Sequence, residues 1–515
     1  MVEKEQKLAV EMKSISKRFG NVQANENVSL QIKAGTIHGI IGENGAGKST
    51  IMRILYGYYQ SDSGEIFVNE SRVDIVKPKD AIDLGIGMVH QHFMLVYPLT
   101  VTENIILGLE PTSGLTINYK KAKESILEIS KKYGLIVDPD TKIEDISVGL
   151  QQRVEILKLL YRGANILILD EPTAVLTPQE TEELFKTLGS LKAQGKTIII
   201  ITHKLNEVMA VTDEVTVLKQ GKNSGFTKTS ETTKEKLAQM MVGREVLLKV
   251  ERVSSELKDK IIDVKNIKAS NKICDEVLKG ISFSIRGGEI LGLAGIEGNG
   301  QSELAEALSG LRPVTQGEII LGGHNIANKT VREIKEDGLS FIPEDRLKRG
   351  LILNYSTRDN LILGFHYLPE ITKGPFLDFK KMEENAKVLI EKYDVRPRDY
   401  SLPVKNFSGG NQQKVIIARE AERNLKFLLA AQPTRGVDIG AIEFIHKKIL
   451  ELKKAGIAIL LISAELEEVM TLSDRILVIY EGEIVGEVDP KTTDEKTIGL
   501  MMTGGTVEKG IAKSN

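Results

Sequence analysis

The sequence predicts an α/β protein built from two tandem copies of one domain, and three observations carry that prediction. A chain of 515 residues exceeds what a single hydrophobic core organises. Short runs such as Ile166-Leu167-Ile168-Leu169 and Thr197-Ile198-Ile199-Ile200-Ile201 alternate with longer amphipathic stretches such as Glu180 to Ala193, the pattern of buried parallel strands joined by helices. The chain also repeats itself. Asn27-Val28-Ser29-Leu30-Gln31-Ile32 resembles Gly280-Ile281-Ser282-Phe283-Ser284-Ile285, an offset of 253 that also maps Gly47 onto Gly300 and Gly64-Glu65-Ile66 onto Gly317-Glu318-Ile319. Farther on, Glu207-Val208-Met209 maps onto Glu468-Val469-Met470 at an offset of 261, so the second copy has gained a net eight residues. Part of that gain is expected in the loop-like stretch Leu368 to Pro375. These matches place domains at 1–247 and 261–505, a linker at 248–260 (KVERVSSELKDK lies within 249–260), and a disordered tail at 506–515.

Composition narrows the class. With 41% hydrophobic residues, 27% charged residues and a net charge of −2, there is no electrostatic drive toward nucleic acid or an anionic membrane. The longest apolar runs, such as Ala458-Ile459-Leu460-Leu461-Ile462, fall far short of a membrane span, so no direct insertion is expected. Met1-Val2-Glu3-Lys4-Glu5 has no apolar signal core, which predicts a cytosolic chain. Cys274, the single cysteine, excludes an internal disulfide and a multi-cysteine metal site.

In chain order, the first informative residue is Phe19, an aromatic that either stacks on a base or fills a core. The apolar run Thr36 to Ile41 then leads into Gly42-Glu43-Asn44-Gly45-Ala46-Gly47-Lys48-Ser49-Thr50 and a helix-like segment to Tyr56. Strand, Gly-rich loop, Gly-Lys-Ser and helix in that order form a phosphate-binding loop rather than a mere glycine turn. Glycines let backbone N–H groups curl around a polyphosphate, and the helix N-terminus adds favourable partial charge. Lys48 is expected on the β- and γ-phosphates and the Ser49 hydroxyl on Mg2+. Downstream, the strand Ile166–Leu169 ends in Asp170 and Glu171, one carboxylate to hold the metal and the next to polarise an attacking water. His203 follows the next strand. Alone it reads as a histidine near a helix start, and Gln91 alone carries no message.

Gly42–Thr50, Gln91, Ser147-Val148-Gly149-Leu150-Gln151, Asp170-Glu171 and His203 together resemble the ATP-binding-cassette ATPases, and the resemblance runs over the whole chain twice. It implies two cassettes, each a RecA-like α/β core with a helical subdomain and an N-terminal antiparallel β portion, with ATP and Mg2+ as cofactors. By the same resemblance Glu171 is the catalytic glutamate, His203 the switch histidine, and Gln91 a Q-loop residue that also meets the metal beside Ser49 and Asp170. Ser147–Gln151 corresponds to the signature motif but departs from Ser-Gly-Gly-x-Gln, because Val148 stands where the backbone should approach a phosphate.

The second copy has the opposite profile. Its loop, Gly295-Ile296-Glu297-Gly298-Asn299-Gly300-Gln301-Ser302, has glutamine for lysine. The offsets turn Asp170 into Ala431, Glu171 into Gln432, His203 into Ala464, Gln91 into Glu344 and Phe19 into Lys272, leaving no carboxylate at that strand end. Yet its signature, Ser408-Gly409-Gly410-Asn411-Gln412, is whole, and Asp438 stands where the first copy has Thr177. In the family, two cassettes pack head to tail, so each ATP lies between one loop and the other copy's signature. The resemblance therefore implies one competent composite site, Gly42–Thr50 with Ser408–Gln412 and Asp438, formed by the cassettes pairing within the chain. The degenerate site would join Gly295, Gly300, Gln301 and Ser302 to Ser147, Gly149 and Gln151. Changes at Gly149 are then expected to be milder than changes at Gly410.

Ala431 to Asp438 and Ile342-Pro343-Glu344-Asp345-Arg346 resemble the second half of bacterial simple-sugar and nucleoside import ATPases, and Gly87 to Val96 resembles the nucleoside branch. The resemblance implies a peripheral protein at the cytoplasmic face of the bacterial membrane. Two integral-membrane permease chains would dock near the segments after Gln91 and Glu344, with an extracellular substrate-binding lipoprotein as further partner and no nucleic acid. A ribose- or galactose-type importer is the alternative substrate class. A soluble ribosome-associated tandem ATPase is the alternative of a different kind. It would want two whole ATP sites and a long basic linker, whereas this linker is short and of mixed charge.

Overall fold

The computed structural model describes residues 7–20, 22–91, 93–114, 116–173, 176–244, 256–271, 275–422 and 425–505. Cys274, the expected tail and most of the expected linker lie outside them. The chain divides into two units, Met1–Val246 and Leu247–Asn515. The last residues of the expected linker already belong to the second unit: Lys258 N donates to Gly287 O at 2.9 Å, and Lys260 opens the strand Lys260–Ser270.

In the first unit, Leu8–Phe19 pairs antiparallel with Val22–Lys33 and Ser63–Val68, and Ser71–Val73 completes a four-stranded sheet. The second sheet has six strands in the order Lys222–Lys228, Glu214–Lys219, Ile37–Gly42, Thr197–Thr202, Ile166–Asp170 and Ile86–Val89, all parallel except the first. Strand side chains alternate between faces. Ile166, Ile168, Ile199 and Ile201 enter one core with the antiparallel sheet and the helix Lys48–Leu55. Leu167, Leu169, Ile198 and Ile200 enter the other, with Val101, Ile105, Ile126, Val154 and Leu157 of the helical region. Both faces are covered, which is why these strands read as unbroken apolar runs; each buried Ile or Leu side chain contributes about 1.5–3 kcal/mol. The helices begin on capping residues. Thr177 accepts from Glu180 N while Glu180 returns the bond to Thr177 N, and Ser147 caps Val148–Tyr161.

The second unit has the same two sheets in the same order, with Leu339–Ile342, Phe427–Ala431, Ala458–Ile462, Ile290–Ala294 and Arg475–Tyr480 parallel and Glu483–Val488 antiparallel at the edge. Its eight additional residues are spread more widely than the sequence suggests. The offset rises from 253 at the strands Ile86–Val89 and Leu339–Ile342 to 256 at the helix caps Thr100 and Ser356. It reaches 260 at the short hairpins beginning at Thr112 and Thr372, and 261 at the turns beginning at Ile143 and Val404. The first increment forms a π-helical turn, Arg346–Gly350, for which the first unit has no counterpart among the described residues. Leu368 to Pro375 holds only part of the gain and contains one arm of the hairpin Thr372–Lys373 with Phe376–Leu377.

Among the described residues, no helix is long and apolar enough to cross a membrane.

Candidate active site

Gly42 ends a fully buried strand and the helix Lys48–Leu55 begins six residues later, so the loop between them sits at the carboxyl edge of the sheet, where α/β proteins hold ligands. Gly47 is the N-cap, with φ +94°, and a Cβ there would lie 2.3 Å from Asn25 Nδ2 and 2.5 Å from Ala24 O. Only glycine fits on both counts. Asn25, a buried residue missed in the sequence, secures the turn by donating from Nδ2 to Gly47 O at 3.2 Å. Asn44 and Gly45 form the exposed crest; Glu43, Ser49 and Thr50 are half-buried. Lys48 Nζ donates to Gly42 O (2.7 Å) and Glu43 O (2.9 Å). Burial pulls its pKa down, opposed by the charges of Glu171, Asp170 and Glu43.

The carboxylates arrive from the neighbouring strands. Asp170, the last residue of Ile166–Asp170, is buried and lies 3.4 Å from the Ser49 hydroxyl. Burial, with the adjacent Glu171 charge, holds its pKa above the ordinary value. A hydroxyl beside a carboxylate of that kind is a hard-oxygen donor set that suits Mg2+. Glu171 has φ +49°, a left-handed conformation costly for a residue with a side chain. Its N–H donates to Ile201 O at 2.9 Å, which fixes the turn to the next strand. The side chain is held from two sides: His203 Nδ1 lies 2.9 Å from Oε1, and Gln91 Nε2 donates to Oε2 at 2.9 Å. The bond to His203 is the main cause of its lowered pKa. Gln91 thus meets Glu171 through its amide nitrogen.

Further residues that sequence reasoning missed brace this arrangement. Glu207 is buried, with its pKa raised by burial, and accepts from the hydroxyls of Thr202 (3.0 Å) and Thr173. Gln152 Nε2 donates to Pro172 O at 2.6 Å. The clue was in the repeat, since Thr173, Gln152 and Glu207 recur unchanged as Thr434, Gln413 and Glu468. Phe19 stands at a strand end, exposed, edge-on to Tyr59 at 5.1 Å.

In the second unit the same backbone carries different side chains. Gln301 Nε2 donates to Ile296 O at 3.0 Å, while its Oε1 is buried without a partner. Gln432 keeps φ +50° and the bond to Ile462 O, but its Oε1 accepts from Ala464 N at 3.0 Å. Ala431 leaves that strand end without a carboxylate, yet Glu344 supplies one from the neighbouring strand. Ser302 Oγ donates to Glu344 Oε2 at 2.8 Å, and Arg435 occupies the other oxygen at 2.7 Å.

The two signature segments also differ. Ser408 caps Gly409–Ala421, and Asn411 Nδ2 donates to its hydroxyl at 3.0 Å. A Cβ on Gly410 would lie 2.9 Å from Asp438 Oδ2 and 2.8 Å from the Ala441 methyl; Asp438 itself caps Ile439–Lys454. Gln412 and Gln151 turn inward and donate to Val404 O and Ile146 O, holding their own loops. Gly149 is tighter than the sequence implies, because a Cβ there would lie 2.4 Å from Oε1 of Glu180, whose other carboxylate oxygen accepts from Thr177 N in the helix cap.

A phosphate loop, a metal-suited hydroxyl–carboxylate pair and a glutamate braced by histidine define a nucleoside-triphosphate hydrolase of the doubled-cassette kind. The family model described as ABC transporter matches residues 25–174 and 278–435. The nucleoside import ATP-binding protein of Lactococcus lactis subsp. cremoris is 48% identical over 97% of this chain and 99% of its own. The guanosine import ATP-binding protein of Bacillus subtilis is 49% identical over 98% and 99%. A glucose import ATP-binding protein of Haloferax volcanii is 44% identical over 96% and 95%. The chain belongs to the ABC transporter family, as one of its tandem import ATP-binding subunits, and its activity is ATP hydrolysis coupled to transport.

Proposed function

We propose that this chain powers nucleoside uptake through one competent ATP site, with cassettes at 1–247 and 261–505. The observation that carries the one-site reading is the contrast between Glu171, gripped by His203 and Gln91, and Gln432, closed onto a backbone N–H. In the competent half, the Gly42–Thr50 loop and Lys48 bind the phosphates, and Ser49 and Asp170 hold Mg2+, which neutralises charge on them. Glu171, kept ionised by its partners, accepts a hydrogen bond from the attacking water, and His203 keeps the carboxylate aimed. Ser408, Gly409, Gly410, Asn411 and Asp438 complete that site across the γ-phosphate, a pairing supported by the complementary losses in the sequence. The loop of Gly295, Gly300, Gln301 and Ser302, with Ser147, Gly149 and Gln151, forms a site that does not hydrolyse.

The energy is delivered to two permease chains docking near the segments after Gln91 and Glu344, at the cytoplasmic face of the membrane, with a substrate-binding lipoprotein outside. Nucleosides are preferred over sugars because Gly87 to Val96 resembles the nucleoside branch and the nucleoside and guanosine relatives lead the glucose relative by four to five percentage points of identity. The test is uptake of labelled guanosine and labelled glucose by cells deleted for this chain and complemented with it or with Glu171→Gln. Guanosine uptake should return with the wild type alone. Restored glucose uptake in its place would reassign the substrate, and full activity of Glu171→Gln would end the catalytic reading.

A further inference from the structure

The intact signature of the second cassette is held by a residue that no motif names. Arg346 is half-buried between the first signature glycine and the turn that carries Asp438. Its Nη1 donates to Arg435 O at 2.6 Å and its Nη2 to Gly436 O at 3.2 Å, a two-pronged grip on consecutive carbonyls. Gly409 packs directly on that grip: a Cβ there would lie 2.7 Å from Arg346 Nη2 and 2.9 Å from Gly436 O. Gly436 itself has φ +67°. Arg346 opens the π-helical turn Arg346–Gly350, which Asp345 caps by accepting from Leu347 N and Lys348 N. The far end of that turn is fixed to the signature helix, where Arg419 Nη1 donates to Gly350 O at 2.9 Å and a Cβ on Gly350 would meet Ile416 at 2.6 Å.

The first cassette has lost every part of this contact together. No arginine stands between Val89 and Thr100, the 253 offset of the preceding strand putting Phe93 opposite Arg346, while Gly409 is Val148, Gly436 is Val175 and Asp438 is Thr177. Its segment is also three residues shorter and holds no helical turn among the described residues. A guanidinium and a glycine that fit each other have been replaced by a phenyl ring and a valine. Independent drift at four separated positions would not select one contact.

We propose that Arg346 is a positioning residue that clamps Gly409 and the Asp438 turn into one rigid unit, so that the signature is competent only when the segment after Glu344 is in place. The proposal rests on the reading that this signature serves the ATP bound at Gly42–Thr50. It deepens that reading by tying catalysis to the segment assigned to permease docking.

The test uses the full chain in permease-containing membrane vesicles, with kcat and KM for ATP measured for Arg346→Phe, Arg346→Lys, Arg346→Ala, Gly409→Ala, the double variant Arg346→Ala/Gly409→Ala, and Ser408→Ala. Arg346→Phe should lower kcat about tenfold with KM for ATP changed less than about twofold, and Arg346→Lys, which keeps one prong, should recover part of it. Gly409→Ala should cost about tenfold in the wild type and clearly less once Arg346 is alanine, because the nearer clash partner is gone and the Gly436 carbonyl, released from the guanidinium, can move away. Additive losses in the double variant overturn the clamp, as does wild-type turnover in Arg346→Phe. If Ser408→Ala is crippling while Arg346→Phe is silent, the clamp alone fails. If Ser408→Ala is silent, the composite site fails and takes the clamp with it. A misfolded Arg346→Phe, detected by its melting curve, leaves the lysine variant and the Gly409 cycle to decide.

Discussion

The strand ends at Glu171 and Gln432 share a left-handed backbone and the same N–H bond to the neighbouring strand, yet only one carries a carboxylate. Strained backbone of this kind costs about 1–3 kcal/mol and persists only where its surroundings impose it. Here the surroundings are the braces Glu207 with Thr173 and Glu468 with Thr434, which both halves retain. Scaffold and chemistry have therefore separated. What both halves keep builds the turn, and what only one keeps is the carboxylate with its histidine partner.

The comparison breaks most readily at the glutamate. Glu171→Gln should cut ATP turnover by about 100-fold or more with nucleotide binding retained, whereas Gln432→Ala should stay within about twofold. Single-turnover hydrolysis checks both, and equal losses would put two active sites in the chain.

A second asymmetry lies in the strands themselves, where buried His38 corresponds to Leu291. Burial, helped by the Lys33 charge, depresses the His38 pKa to about 4; Thr216 Oγ1 lies 2.8 Å from Nε2. A histidine depressed on folding stabilises fully above the unfolded pKa of about 6.5 and loses that contribution as pH falls toward 4. Between pH 8 and pH 5 the first cassette should lose about 2 kcal/mol from this group. Denaturant melts of the wild type and His38→Leu at both pH values test it, and an equal pH dependence in both would discard the assignment.

At the signatures, Ser408→Ala should lower kcat about tenfold, the scale of one hydrogen bond to a charged group, and Ser147→Ala less than about twofold. Serine is the fair comparison. Gly149, expected from the sequence to be tolerant, abuts Glu180 of a capping box, so a larger residue there would cost stability and mimic a catalytic loss. The smallest effect belongs to Gln301→Lys, which should leave steady-state turnover unchanged because Gln432 and Ala464 remain.

Spacing and residue type made the loop, the strand-end carboxylates, the doubling and the complementary losses legible in the sequence. The bracing was not, because Asn25, Gln152 and Glu207 act through hydrogen bonds to residues 20 or more positions away, or through burial that only the fold creates. Gln91 is expected at the metal by resemblance, and the fold adds a contact the sequence does not display, its amide donating to Glu171. Glu344 looked like a simple loss, although it brings a carboxylate to Ser302 from the adjacent strand, a contact no linear offset displays. Arg346 was quoted only as part of a family-like string, since its partners are backbone carbonyls about ninety residues on.

Eight of the additional residues of the second half fall between Ile342 and Val404; the strands beyond keep the offset of 261, and before Ile342 only the first strand departs from 253, with Met12 matching Val264 at 252. That confines most of the divergence in length to an exchangeable module. Chimeras joined at Val89/Ile342 and Ile143/Val404 would transplant it without shifting a single strand register, so an exchange of the segment leaves both parallel sheets and the Gly42–Thr50 loop as they are.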